Sequence, residues 1–198
     1  SEPCEGGSRC VESSTGVLIS VYLDGVQNDR ALELFNPTCG EIGLDEYEIW
    51  VIPNGGSQAD ASTRRIVLGG GITAGSSLLI CHTGFDGSNY GGVECDMRSE
   101  DLDFNGDDAV LVVRQGSAVD VIGIEGSDPG LGWSVAGVGA ATRNHMLVRK
   151  ADVLRGSTDW ATSEARAWEV LDSSQSQTEV FGSRVALSDC GWFDIAVY

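Results

Sequence analysis

The side chains best able to do chemistry in this sequence gather in one acidic run, Asp101, Asp103, Asn105, Asp107 and Asp108. Oxygen atoms at alternate positions can converge on a hard cation, so Asp101, Asp103, Asp107 and Asp108 are candidate ligands for Ca2+. The run lacks the loop of about twelve residues, closed by a bidentate Glu, that helix–loop–helix calcium sites use. A corner is the competing reading: Asn105-Gly106 interrupts the chain, and Asp107 and Asp108 can accept bonds from backbone amides there. Glycoside hydrolysis needs two carboxylates facing each other across a cleft, which acids clustered beside an apolar strand do not offer.

Other chemistries find less. The chain has two histidines, His82 and His145. A Ser-His-Asp relay needs a nucleophile elbow; Gly132-Trp133-Ser134-Val135-Ala136 imitates one, with Ala in the last glycine position and no strand-to-helix context. Gly137-Val138-Gly139-Ala140-Ala141 imitates a dinucleotide loop, but no helical pattern follows it. The run Gly69-Gly70-Gly71-Ile72-Thr73-Ala74-Gly75-Ser76 lacks the Lys-Ser/Thr of a phosphate loop. Each reads as a glycine-rich connection between strands. The five tryptophans, Trp50, Trp133, Trp160, Trp168 and Trp192, are candidates for a carbohydrate platform or for plugs in an all-β core, and the plug is the commoner use. No residue is assigned to catalysis and no organic cofactor is expected.

Composition narrows the class. The chain has 198 residues, 41% of them hydrophobic, enough for a proper core. Its 27 glycines and 4 prolines suit an all-β protein with many turns. Twelve basic residues against thirty acidic ones give a net charge of −18. That balance opposes nucleic acid and anionic lipid, and favours bound cations or a basic partner. No apolar run approaches the length of about twenty residues that a membrane helix needs. Six cysteines with no C-x-x-C imply disulfides and an oxidising compartment. Proximity in sequence favours Cys4–Cys10 and Cys81–Cys95, which leaves Cys39–Cys190. A start at Ser1 rather than Met is expected of a processed, secreted product.

The elements that must position these groups are strands. Ala109 to Arg114 and Ala118 to Ile122 flank Gln115-Gly116-Ser117, a hairpin signal because glycine accepts positive φ. Val110 to Val113 is continuously apolar, so this strand is expected at the centre of a sheet. Further strands are predicted at Val17 to Leu23, with one face exposed, and at Arg30 to Asn36, with Leu32 and Leu34 inward. Others are predicted at Glu46 to Ile52, Arg64 to Leu68 and Ser77 to His82. Thr83 to Leu102 reads as a long polar loop. Helical periodicity is confined to a turn or two near Thr162 to Ala167. The organisation expected is an N-terminal arm (1–16), a sandwich (17–171) and a C-terminal extension (172–198). The extension opens with a serine-rich linker and contains two strand-like runs, Val180 to Leu187 and Trp192 to Tyr198.

LDFNGDDAV (Leu102 to Val110) followed by VDVIG (Val119 to Gly123) resembles the lamin-tail domain of secreted bacterial proteins and extracellular nucleases. ALELFNPT (Ala31 to Thr38), IVLGGGITAGSSLLIC (Ile66 to Cys81), LVRK (Leu147 to Lys150) and W-x-x-S-E…WEVL (Trp160 to Leu171) agree with it in order. The resemblance implies an immunoglobulin-like β-sandwich used as a non-catalytic module, and it explains Gly106-Asp107-Asp108 as a turn. The function expected is that of an extracellular structural protein, a self-assembling subunit of a filament or surface layer. It would form a homo-oligomer or polymer through its terminal strands, without nucleic acid or membrane insertion. The alternatives are an accessory domain of a secreted nuclease or phosphatase, and an adhesion module that binds carbohydrate.

Overall fold

The computed structural model describes residues 16–173 and 180–183. In chain order its strands are β1 (Leu18–Asp24), β2 (Arg30–Phe35), β3 (Ile42–Gly43), β4 (Tyr47–Ile52), β5 (Arg64–Val67) and β6 (Gly71–Ile72). They continue with β7 (Ser77–His82), β8 (Met97–Ser99), β9 (Ala109–Arg114), β10 (Ser117–Ile122), β11 (His145–Arg149) and β12 (Trp168–Asp172). One α-helix, α1 (Trp160–Arg166), precedes β12 and is capped by Asp159, whose carboxylate accepts from Thr162 N–H.

The strands form an all-β sandwich. One sheet is six-stranded, in the order β12-β11-β1-β2-β7-β8, and the other four-stranded, in the order β10-β9-β4-β5. A two-stranded ladder, β3 with β6, closes one side. The central hairpin is present: Gln115 (φ 50°) and Gly116 (φ 76°) join β9 to β10 in the left-handed region that matches the twist of paired strands. β9 lies between β10 and β4 and is buried on both faces up to Arg114, as its apolar run requires. Between the sheets, Ile19, Leu32, Leu34 and Leu147 meet Ile49, Val51, Val110 and Val112 in the main core. Each such side chain, fully buried, stabilises the fold by about 1.5–3 kcal/mol before entropy is set against it.

A second, smaller core lies apart from the first. Val21, Leu23, Leu79, Cys81 and Met146 cluster with Phe85 and Tyr90 from the loop after β7, and with Val180 and Phe181. The face of β1 expected to be exposed is therefore covered, and every residue of β1 is buried. Alternation shows that a strand has two apolar faces, but not which distant loop lies on the second.

Three more sequence expectations are corrected. Thr83 to Leu102 is not one loop: it holds a 3-10 turn at Gly87–Tyr90, begun by Asp86 accepting from Ser88 N–H, and then β8. β8 pairs in parallel with β7 because the Cys81–Cys95 disulfide and the Asp96 carboxylate, which accepts from Leu79 N–H, bring it alongside. The Gly69–Ser76 connection contains β6. Val180 begins a turn, with Ser183 N–H donating to Val180 O, rather than a strand. Residues 184–198, with Trp192 and Cys190, lie outside the described residues, as do Cys4, Cys10 and 1–15 of the arm.

Candidate functional site

The four acidic residues read as calcium ligands are put to separate uses. Asp108 is buried and accepts two backbone amides, Asn54 N–H on Oδ1 and Asn105 N–H on Oδ2, both at 3.0 Å. Burial pushes its carboxyl up from the ordinary range, and the two amides pull it back. Asn105 Oδ1 accepts from Asp107 N–H at 3.1 Å, making the corner that the Asn-Gly pair announced. Asp103 lies between two guanidiniums, Arg30 at 3.5 Å and Arg64 at 3.4 Å. Those arginines also donate to the carbonyls of Phe104 and Asp103. Asp101 is exposed, its N–H held by Ser99 Oγ. Among the described residues no group of three or more His, Cys, Asp or Glu is arranged to hold a metal ion.

The acidic corner instead forms one wall of a polar cleft of about 410 Å³ at an end of the sandwich. The end of β1 supplies Asp24, the turn after it Gln27, the corner Asp107, and the segment before β11 Arg143 and Asn144. Asp24 is 5% exposed, and its Oδ2 accepts from Asn144 N–H at 3.0 Å. Burial raises its carboxyl above the ordinary range; the Asn144 amide, Arg30 and Arg143 oppose the rise.

The walls are tied together below the surface. Tyr22 Oη donates to Thr142 O at 3.1 Å, and Thr142 Oγ1 donates to Gly106 O at 2.6 Å while accepting from Trp133 N–H at 2.7 Å. Gly106 has to be glycine: a Cβ there would stand 2.4 Å from Arg143 Cβ and 2.8 Å from its Cα. Burial, with Asp24 and Asp108 nearby, holds the Tyr22 hydroxyl neutral by pushing its titration well above the tyrosine value.

One charged pair escaped the sequence reading. Asp120 on β10 and Arg149 on β11 face each other across the two sheets with no side-chain exposure. Asp120 Oδ2 accepts from Arg149 Nη2 and from Ile19 N–H, and its Oδ1 accepts from Ser157 N–H at 2.8 Å. Arg149 Nε donates to Ile19 O, its guanidinium lies 3.9 Å over the Trp168 ring, and Nη1 has no hydrogen-bond partner. The signal was present in the sequence. Arg149 shares the parity of inward-facing Leu147, so alternation places a charge inside.

The remaining candidates are architectural in position. Gly132 to Ala136 leads into a tight turn at Ala136 (φ 50°) and Gly137 (φ 84°), closed by Val135 pairing with Val138. His82 Nδ1 accepts from Gly84 N–H, and His145 Nδ1 meets Arg143 O. Trp50, Trp133, Trp160 and Trp168 are all buried, so none of them presents a flat sugar platform; Trp192 lies outside the described residues. Cys81 is bonded to Cys95 with a Cα separation of 6.0 Å. Cys39 is disulfide-bonded too, but its partner, expected to be Cys190, lies outside the described residues.

No protein-family model matches the sequence, and no curated protein matches it. Among the described residues no helix is long and apolar enough to cross a membrane.

Proposed function

We propose that this chain is a non-catalytic extracellular module of the immunoglobulin-like, lamin-tail kind, serving as a building block of a filament or surface layer. One observation carries the reading: residues 180–183, which follow β12 in the chain, are seated on the outer face of the six-stranded sheet. The Phe181 ring meets Tyr90 edge-on at 6.2 Å, and Gly182 N–H donates to the buried Glu33 carboxylate at 2.5 Å. A segment joined to the sandwich by a polar linker, on a face built to receive it, is the kind of contact that a second copy can supply through exchange. The disulfides support an oxidising, extracellular setting. The acidic groups support a non-catalytic role, because Asp103, Asp108 and Asp120 are spent on guanidiniums and backbone amides.

Electron microscopy of the secreted protein, with and without a calcium chelator, tests the assembly. Ordered filaments or arrays are expected, and they should disperse in Phe181→Ala. Monomers at every concentration would remove the building-block reading. Nuclease and phosphatase assays with Mg2+ and Ca2+ should be blank, and turnover would remove the non-catalytic one. The polar cleft favours a second reading, that of a binding module, whether adhesive or an accessory to a secreted nuclease or phosphatase.

A further inference from the structure

The cleft between the acidic corner and the segment before β11 has unspent polar capacity. Asp24 gives one carboxylate oxygen to Asn144 N–H; its other, Oδ1, has no donor among the described residues and faces solvent in the cleft. The Asp107 carboxylate and the Arg143 guanidinium, both lining the cleft, likewise have no hydrogen-bond or ion-pair partner there. Arg30 completes the set, with its Nε committed to Phe104 O and one Nη to Asp103. A ligand hydroxyl that donates to Asp24 Oδ1 would take the place of water at a carboxylate oxygen.

The balance of charge selects the ligand. Two carboxylates and two guanidiniums offset each other in the lining, within a chain whose net charge is −18. A simple anion meets Asp24 and Asp107 as well as the arginines, and a simple cation meets Arg30 and Arg143 as well as the acids. A group that donates and accepts on neighbouring atoms satisfies both. Vicinal hydroxyls do this, each offering one O–H to a carboxylate and its lone pairs to a guanidinium. Leu131, 64% exposed, is the one large apolar side chain in the lining. It offers a small apolar contact to the C–H face of a sugar ring.

The volume of about 410 Å³ falls within the usual range for small-ligand sites, roughly 300–1,000 Å³. The walls are pre-set by the bonds among Tyr22, Thr142 and Gly106, so little ordering is lost on binding. From this we infer that the cleft is a binding site for a neutral carbohydrate residue, with Asp24 and Asp107 accepting from its hydroxyls and Arg143 donating to them. It rests on the binding-module reading rather than on assembly. With no aromatic ring among the lining residues, affinity for a single sugar is weak, and multivalent display in an assembly would raise it.

Titration of the isotope-labelled full chain with the methyl glycosides of glucose, galactose and mannose, followed by amide NMR, tests the site. Saturable shifts confined to Gly25, Gln27, Asp107, Arg143 and Asn144 are expected for at least one glycoside. Both Asp107→Asn and Arg143→Gln alter side chains at the surface and should leave the fold intact. Each should weaken binding by about tenfold or more, the loss expected for one charge-assisted hydrogen bond. No saturable shift with any glycoside would overturn the inference. So would affinity unchanged in both variants, or saturation of the same amides by guanidinium chloride or sodium phosphate instead of the sugars. The glycoside should be recovered intact; cleavage would remove the non-catalytic reading and leave the site in place, so the two failures are separable.

Discussion

At the scale of single residues, the pair Asp120–Arg149 is the most consequential feature of the interior. Burial pulls the Arg149 guanidinium below its ordinary value and the Asp120 carboxylate pulls it back, so the charge is kept by one partner. Arg149→Met leaves a carboxylate enclosed and uncompensated, and should cost about 3–5 kcal/mol in urea unfolding. Asp120→Leu combined with Arg149→Met should cost much less than that single change; equal losses would mean that the pair matters only for packing. Asp24 and Asp108 give a different signature. Burial raises both carboxyls, so the folded state binds their protons more tightly than the unfolded state does. Their contribution is fully present below the unfolded value, about 3.9, and is lost as pH rises through the raised folded value. Asp24→Asn should therefore gain stability relative to the parent as pH moves from acid to neutral, measured by denaturant unfolding across pH. Asp159, lowered by its bond to Thr162, has the opposite sign, contributing above the unfolded value and losing on acidification.

At the scale of elements, what was legible depended on how locally an element is specified. The β9–β10 hairpin, the apolar centre of β9 and the Asn105-Gly106 corner follow from residues a few positions apart, and all three are present. β6 and β8 are too short for a periodic signal and exist because β3 and the Cys81–Cys95 clamp hold them in place. The cleft was half legible: Asp107 stood out as a possible ligand, whereas Arg143, Gln27 and Asn144 arrive from distant turns with no motif. Opening the clamp tests this account of β8. With its cysteines separated by 14 in sequence, the disulfide contributes about 3 kcal/mol by restricting the unfolded chain. Replacing both cysteines by Ala should lower stability by about that amount, and hydrogen exchange should show faster exchange at Met97 to Ser99 and Phe85 to Tyr90 than at β9. Uniform acceleration would place the clamp in the global fold instead. At the other end, Asp159→Ala should lower stability in denaturant unfolding through the lost helix cap.

At the scale of the whole molecule, two cores share one sheet. The inner one joins the two sheets, while the outer one is completed by Val180 and Phe181 from outside the sandwich. Truncation after Ser173 should leave the far-ultraviolet circular dichroism near that of the full chain and increase binding of a hydrophobic dye, because Tyr90 and Phe85 lose part of their cover. Loss of the strand signal would mean that the segment holds the sandwich together rather than capping it. The order of the six-stranded sheet has a mechanical side. β1 and β12 both run antiparallel to β11, which lies between them, so they run parallel to each other. The chain enters this sheet at Leu18 and leaves it at Asp172, at opposite ends. Tension along a strand of linked subunits would pull those two points apart lengthwise. The hydrogen bonds of the β1–β11 and β11–β12 ladders would then bear the load side by side in shear, instead of opening one after another like a zip.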